Sequence, residues 1–520
     1  MSLNLNQTGI QCTHKNKRTR QDAKAHRCYS YGLSVRTIGA PLCVHRKKEA
    51  MLKTRLESDS IGSMMIPASV YYGVQSLRAN RNFQITGQQM NDDFLRNLAL
   101  IKKAAAITNA ITGDLDADKA NAIEQACDEV IAGKLRKDFI LDPVQGGAGT
   151  SANMNMNEVI AHRASEILSG DKDKYIVHPN DDVNMGQSTN DTIPTAGKMT
   201  VLTLAKPMLA ELTRLYKALD KKADEFKDVI KMGRTQLQDA VPMTLGDTFH
   251  AYATMVKRAI KRIEDSLDEM KAVNLGGTAI GSCINASDYY VKHVVTVLSK
   301  VSDLPLTQAN DLFDATSDID SFVAVSGAIK AGMMAISKMC NDLRLLSSGP
   351  RCGLHEINLP AKQNGSSIMP GKVNPVIPEV VNQVAFLVAG HDATIMMAAE
   401  AGQMELNAFE PVTFYQLFES ITAVTGAIRT LINNCILDLT ANKDHCLSLA
   451  EHSTGIATAL SPKVGYQKAA SIAKAALHNG TSVREEAEKT GLFSTAELDS
   501  MLDLSKAVGR RTAEARVAVM

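Results

Sequence analysis

Ser366, Ser367, Lys372 and Asn374 fall within nine consecutive residues, in a run that opens at Gly365 and closes at Pro375. Pro370, Gly371 and Pro375 keep this run out of regular helix or strand, because proline lacks an N–H and glycine adds chain freedom. A glycine-flanked loop lets a serine hydroxyl approach a substrate while backbone N–H groups and a lysine face an anion. Such a loop suits removal of a proton from a carbon beside a carboxylate, since the developing charge meets a waiting cation and fixed dipoles. A phosphate-binding P-loop is excluded. That motif needs four residues between its Gly and its Gly-Lys pair, then Ser or Thr, whereas five separate Gly365 from Gly371 here and Val373 follows Lys372.

Three other stretches are polar in the same way: Gly146 to Asn153 with Thr150, His178 to Asp191 with Ser188, Thr189 and Asn190, and Gly233 to Pro242 with Thr235 and Gln236. Each alone is ordinary loop composition. Together with the first they supply hydroxyls, amides and one lysine, the donors a pocket for a small dianion requires. Such donors hold a carboxylate without a charge count that would slow product release. His178, Asp181 and Asp182 show neither HExxH nor EF-hand spacing, so no metal site is assigned and no catalytic metal is expected.

The elements that must position these loops read as long helices. Phe322, Val325, Ile329, Met333, Ile336, Cys340 and Leu343 recur at three- and four-residue steps, on a helix predicted to begin near Asp318 or Asp320. Tyr252, Val256, Ile260, Ile263, Leu267 and Met270 form a second stripe. Met208, Leu212, Leu215, Tyr216 and Leu219 form a third, predicted to begin after Pro207. Helices of about 25 residues span roughly 37 Å, and several with short connections imply a bundle. Ala324, Ser326, Gly327, Ala328, Ala331 and Gly332 give the first of them a second, small-residue face. Burial on two faces fits either a shared oligomeric bundle or one large monomeric core.

Composition agrees with an all-α chain: aromatic residues are 4%, tryptophan is absent and methionine numbers 23, which favours helix-on-helix packing over a β-rich core. A net charge of +1 gives no argument for nucleic acid or a membrane surface as partner. No unbroken run of about 18 apolar residues is present, so no membrane span is expected. Nine scattered cysteines without CxxC spacing imply reduced thiols and a cytoplasmic location. Residues 1–50 hold ten Lys or Arg and only two acids, and read as a disordered basic extension, an organelle leader or translation from upstream of Met51.

The Gly365–Pro375 run and its flanks resemble the signature of the fumarase/aspartase superfamily. The flanks are Asn341-Asp342-Leu343-Arg344 through Arg351, Glu356-Ile357-Asn358-Leu359-Pro360, and Val376-Ile377-Pro378-Glu379. The resemblance extends from about Thr54 to near the C-terminus and is strongest to the ammonia-releasing branch. It implies an N-terminal helical domain over 51–189, a central bundle over 190–445 and a small C-terminal helical domain over 446–520. It also implies a homotetramer whose central domains share one bundle, with each active site drawn from different subunits. The implied reaction is reversible deamination of L-aspartate to fumarate and ammonia. Ser366 would then be the general base, while Thr150, Ser188, Thr189 and Ser367 hold the β-carboxylate. Lys372 and Asn374, with Thr235, would bind the α-carboxylate, and Asn190 with Gln236 the amino group.

No cofactor is implied beyond an activating Mg²⁺ without assignable ligands. The loop between Pro360 and Pro375 is expected to close over substrate. Fumarate hydratase is the nearest alternative, and a silent structural relative, as in lens crystallins, the other. Gln236 favours ammonia loss: hydratases of this family usually carry His after the Gly-Arg-Thr, to manage a proton that glutamine cannot shuttle. Gly281-Ser282-Cys283-Ile284-Asn285 departs from the family's Gly-Thr-Gly-Ile-Asn.

Overall fold

The computed structural model describes residues 53–508, so the basic extension at 1–50 lies outside the described residues. Five helices form the bundle: Thr189–Glu225, Leu245–Leu267, Asp320–Leu346, Val376–Glu400 and Glu410–Leu431. The Asp320 start agrees with the sequence reading. Every member of the Phe322–Leu343 stripe is buried, as are all of the Tyr252–Met270 stripe except the half-buried Ile260. Phe322 and Phe414 meet across the bundle with ring centroids 5.1 Å apart, and Phe94 joins them from the Asp92–Thr112 helix at 5.9 Å from Phe414. Among the described residues strands occur only as two-stranded pairs, one of them the antiparallel hairpin Ile230–Thr235 with Gln238–Thr244. A separate apolar cluster, built on Ala450, Leu460, Ile472, Ala487 and Leu498, fills the C-terminal region.

One helix differs from its prediction. It does not begin after Pro207 but at Thr189, and runs 37 residues through both Pro194 and Pro207. A capping box starts it, with the Ser188 hydroxyl accepting from Asn190 N at 3.2 Å and Asp191 accepting from Ser188 N at 2.9 Å. Pro194 has no N–H for the carbonyl four residues back, which is Asn190's. Asn274 Nδ2 donates to that carbonyl instead, at 3.0 Å, so the proline costs the helix little here.

The Thr150–Ser169 helix is fixed by buried charge. Its Glu158 accepts from Gly73 N and Gln75 N, both at 2.9 Å, capping the Val74–Asn82 helix. Its His162 lies 3.1 Å from Glu57, which also takes Val74 N at 3.0 Å and Arg55 Nε at 2.6 Å. Burial raises the Glu57 carboxyl, but His162 and Arg55 outweigh it and hold the group down at about 2.

Asp320–Leu346 and Val376–Glu400 are long and apolar enough, by length and composition, to cross a membrane. They pack on one another in the bundle, where the buried Asp392 accepts from Ser326 at 2.8 Å and pairs with Lys330. Val376–Glu400 leaves Phe386, Leu387, Met396 and Met397 exposed on its outer side.

Candidate active site

The first two polar stretches meet within one chain. Gly149 caps the Thr150–Ser169 helix at φ +81°, and a Cβ there would come 2.8 Å from Ile193 on the Thr189–Glu225 helix, so only glycine fits that approach. The contact places Thr150 and Thr189 each at the first position of a helix, with Thr150 N donating to Gly147 O at 2.9 Å and Asn190 N to the Ser188 hydroxyl at 3.2 Å. Asn153 Nδ2 lies 3.3 Å from Thr189 Oγ1 and 3.1 Å from Asn184 Oδ1. Asn190 Nδ2 donates to the Ala279 carbonyl at 2.8 Å. Its Oδ1 has no partner among the described residues, and an acceptor is what an ammonium needs.

Asp191 lies directly beneath, with Oδ2 accepting from Gly276 N at 3.1 Å and Thr278 N at 3.0 Å. Burial pushes its carboxyl up to about 7 against those N–H groups. The 276–285 loop that supplies them carries the departure noted in the sequence. Cys283 adopts φ +57°, a left-handed conformation, at the position where the family pattern has glycine.

The third stretch is the hairpin, with Gln236 and Leu237 at its turn in left-handed conformation, φ +54° and +64°. Thr235 and Gln236 are exposed, and Leu237 is 71% exposed. Behind them Arg234 donates to Glu356 at 2.7 Å, which anchors the strand. The hairpin follows the far end of the Thr189–Glu225 helix, whose 37 residues span about 55 Å. One chain therefore does not bring Thr235 and Gln236 to Thr189.

The fourth stretch is irregular from Leu359 to Pro375 and closes on itself. Gly365 N donates to Lys372 O at 2.8 Å, and Asn374 Nδ2 to Gly365 O at 2.7 Å. Gly365 is required, since a Cβ there would meet Lys372 O at 2.6 Å. The Ser366 hydroxyl oxygen accepts from Ile368 N at 3.2 Å and Met369 N at 3.0 Å. Two amide dipoles aimed at one oxygen favour its anion. Ser367 and Lys372 are exposed, and Ile368 is 83% exposed. Among the described residues, no hydrogen bond or ion pair joins this loop or the hairpin turn to the first two stretches.

Lys102, on the Asp92–Thr112 helix, was not among the residues singled out from sequence, yet it lies fully buried under the second stretch. Its signal is a lysine set into the apolar stripe Phe94, Leu98, Ile101 and Ala105.

A helical bundle that carries hydroxyl- and amide-lined loops and, on a separate loop, a serine held by backbone N–H groups fits a lyase for small carboxylates. Residues 62–390 match the family described as Lyase, and residues 456–508 the one described as Fumarase C C-terminus. Aspartate ammonia-lyase of Bacillus subtilis is 48% identical over 86% of this chain and 95% of its own length, and that of Pseudomonas fluorescens 49% identical over 86% and 95%. Among solved structures, a Brucella melitensis fumarate lyase:delta crystallin bound to cobalt is 48% identical, with TM-score 0.85 over 88% of this chain and 100% of that one. A class II fumarase of Schistosoma mansoni is 34% identical, with TM-score 0.86 over 88% and 100%. The chain belongs to the fumarase/aspartase superfamily.

Proposed function

We propose that the protein is a carbon–nitrogen lyase that reversibly deaminates L-aspartate to fumarate and ammonia. The supporting observation within the structure is the Ser366 oxygen, which receives two backbone N–H groups. The aspartate ammonia-lyases at 48–49% identity support the choice of substrate. As the alkoxide, Ser366 takes a proton from Cβ, and the electron pair of that bond moves into the β-carboxylate as an enediolate. Thr150, Ser188, Thr189 and Ser367 donate to its oxygens as charge grows there. The enediolate then collapses to the carbon–carbon double bond while the Cα–N bond breaks, and its electron pair leaves with neutral ammonia. Lys372 and Asn374, with Thr235, hold the α-carboxylate, and Asn190 and Gln236 accept from the ammonium.

Because about 55 Å of helix separates Thr189 from the hairpin in one chain, the complete site needs several copies. A homotetramer sharing its bundle meets that need. It is supported by the uncovered Phe386, Leu387, Met396 and Met397 and by Gly327, where an added Cβ would meet no neighbouring element within 4 Å. Among the described residues no three His, Cys, Asp or Glu side chains are grouped to hold a metal ion.

The test is ultraviolet absorbance of fumarate with L-aspartate as sole substrate, beside a parallel reaction with L-malate. Fumarate from aspartate alone is expected. Fumarate from malate alone would assign a hydratase instead, and none from either would leave the silent structural reading.

A further inference from the structure

Beneath the first two polar stretches lies an amide network that the reaction as described does not use. Lys102 Nζ donates to Asn184 Oδ1 and to Gln187 Oε1, both at 2.9 Å. An ammonium has no lone pair with which to accept, so both of those atoms must be carbonyl oxygens. That requirement sets the amides downstream. Asn184 Oδ1 also receives Asn153 Nδ2 at 3.1 Å and Asn157 Nδ2 at 3.2 Å, while Asn184 Nδ2 donates to Gln187 O at 3.1 Å. With Asn153 held this way round, its Nδ2 lies 3.3 Å from Thr189 Oγ1, and its Oδ1 lies 3.3 Å from Thr192 Oγ1, whose one proton has a nearer acceptor in Ser188 O at 2.9 Å. Thr189 oxygen is thus an acceptor on its protein side, and its single proton is left for the site.

We propose that Lys102 is a positioning residue for the lyase reaction: acting through Asn184 and Asn153, it fixes the Thr189 hydroxyl as a donor toward the carboxylate that gains charge. The inference rests on Thr189 being a ligand of that carboxylate. Without the ammonium Asn184 Oδ1 loses its one charged donor, and only the Gln187 carbonyl, which takes Asn184 Nδ2 at 3.1 Å, still turns that oxygen inward. That weaker hold lets Asn153 turn Oδ1 to Thr189 and draw the hydroxyl proton away from substrate. Asn153 and Asn157 are 1% and 0% exposed, while Asn184, Gln187 and Thr189 are half-buried. Burial pushes Lys102 down to about 7 even with Asp191 and the Cys127 thiol opposing it, so the ammonium that orders the amides is the form present below that pH. Burial and the Asp191 carboxylate push the buried Tyr290 phenol well up. An unbranched apolar side chain would fill the same space without a buried charge, so packing alone does not call for lysine.

The experiment is steady-state kinetics of the full chain with L-aspartate for Lys102→Met, Thr189→Val, Thr235→Val and the two double variants that contain Lys102→Met. Lys102→Met is expected to keep its assembly and thermal midpoint and to lose about tenfold or more in kcat/KM. The loss should fall mainly on kcat, since a donor to growing charge acts in the transition state. In the Thr189→Val background the same substitution should cost less than about twofold, and in the Thr235→Val background its full amount. Equal losses in both backgrounds, or wild-type kcat/KM in Lys102→Met, would overturn the relay. Wild-type kcat/KM in Thr189→Val alone would instead overturn the reading of Thr189 on which the relay rests. Should Lys102→Met fail to fold, Asn153→Ser cuts the same relay next to Thr189 and carries the same cycle.

Discussion

The two halves of the candidate site are built in opposite ways. The half holding Thr150, Ser188, Thr189 and Asn190 is finished within one chain: two helix starts locked by Gly149 against Ile193, over buried amides, Lys102 and Asp191. The half holding Thr235, Gln236, Ser366, Lys372 and Asn374 is a hairpin turn and a self-closed loop, presented outward with Leu237 and Ile368 in solvent. The first half resembles a receptor cast in the core. The second resembles a tool held out to a neighbour. Pre-organisation is thus concentrated where charge must be stabilised, and the reactive group sits on chain that can move without disturbing the core.

Four measurements break or sharpen that contrast. Ser366→Ala should lower kcat by about a thousandfold or more, while circular dichroism and thermal midpoint stay at wild-type values. A large loss of stability would mean that the outward loop is structural after all. Next, Thr189→Val and Ser366→Ala, each nearly inactive alone, should regain activity when unfolded together and refolded as a mixture, because hybrid assemblies contain some sites with both halves intact. A mixture no better than its components would place each site within one chain.

The third measurement concerns the inward half. Glu57 is held at about 2 against an ordinary 4.5, so its stabilisation is full above about 4.5 and is lost as pH falls toward 2. By linkage that amounts to something on the order of 3 kcal/mol. Thermal unfolding of Glu57→Gln should show a flatter acid limb than wild type, and an unchanged limb would remove Glu57 from the account. The smallest effect is at Cys283, whose left-handed backbone strains a non-glycine residue. Cys283→Gly should raise stability by about 0.5 kcal/mol, relief of strain exceeding the added chain entropy. Chemical denaturation measures it, and a loss would mean that the thiol's packing matters more than its φ.

Much of the fold was legible because burial follows periodicity: the Phe322–Leu343 stripe and the Asp320 start could be read directly. The Thr189–Glu225 helix could not. Prolines at 194 and 207 are stop signals in sequence, and the Asn274 side chain that relieves one of them lies 80 residues further along the chain. The polar stretches were legible as composition, but not as shape. Nothing in Gly233 to Pro242 distinguishes a solvent turn from a hairpin whose Gln236 and Leu237 both take positive φ. Lys102 escaped notice because it pairs with amides rather than acids, and amides at 184 and 187 look like loop filler until a buried ammonium gives them direction.

The rod from Thr189 to Glu225 carries one further implication. Adding or deleting a single residue anywhere along it would rotate one end against the other by about 100° and shift it by about 1.5 Å. Most of its residues contact no ligand, yet their number is constrained as tightly as the identity of Thr189 itself. Insertions accumulating as this lineage diverges should therefore fall in its loops, and the rod should tolerate exchange of side chains but never a change of length.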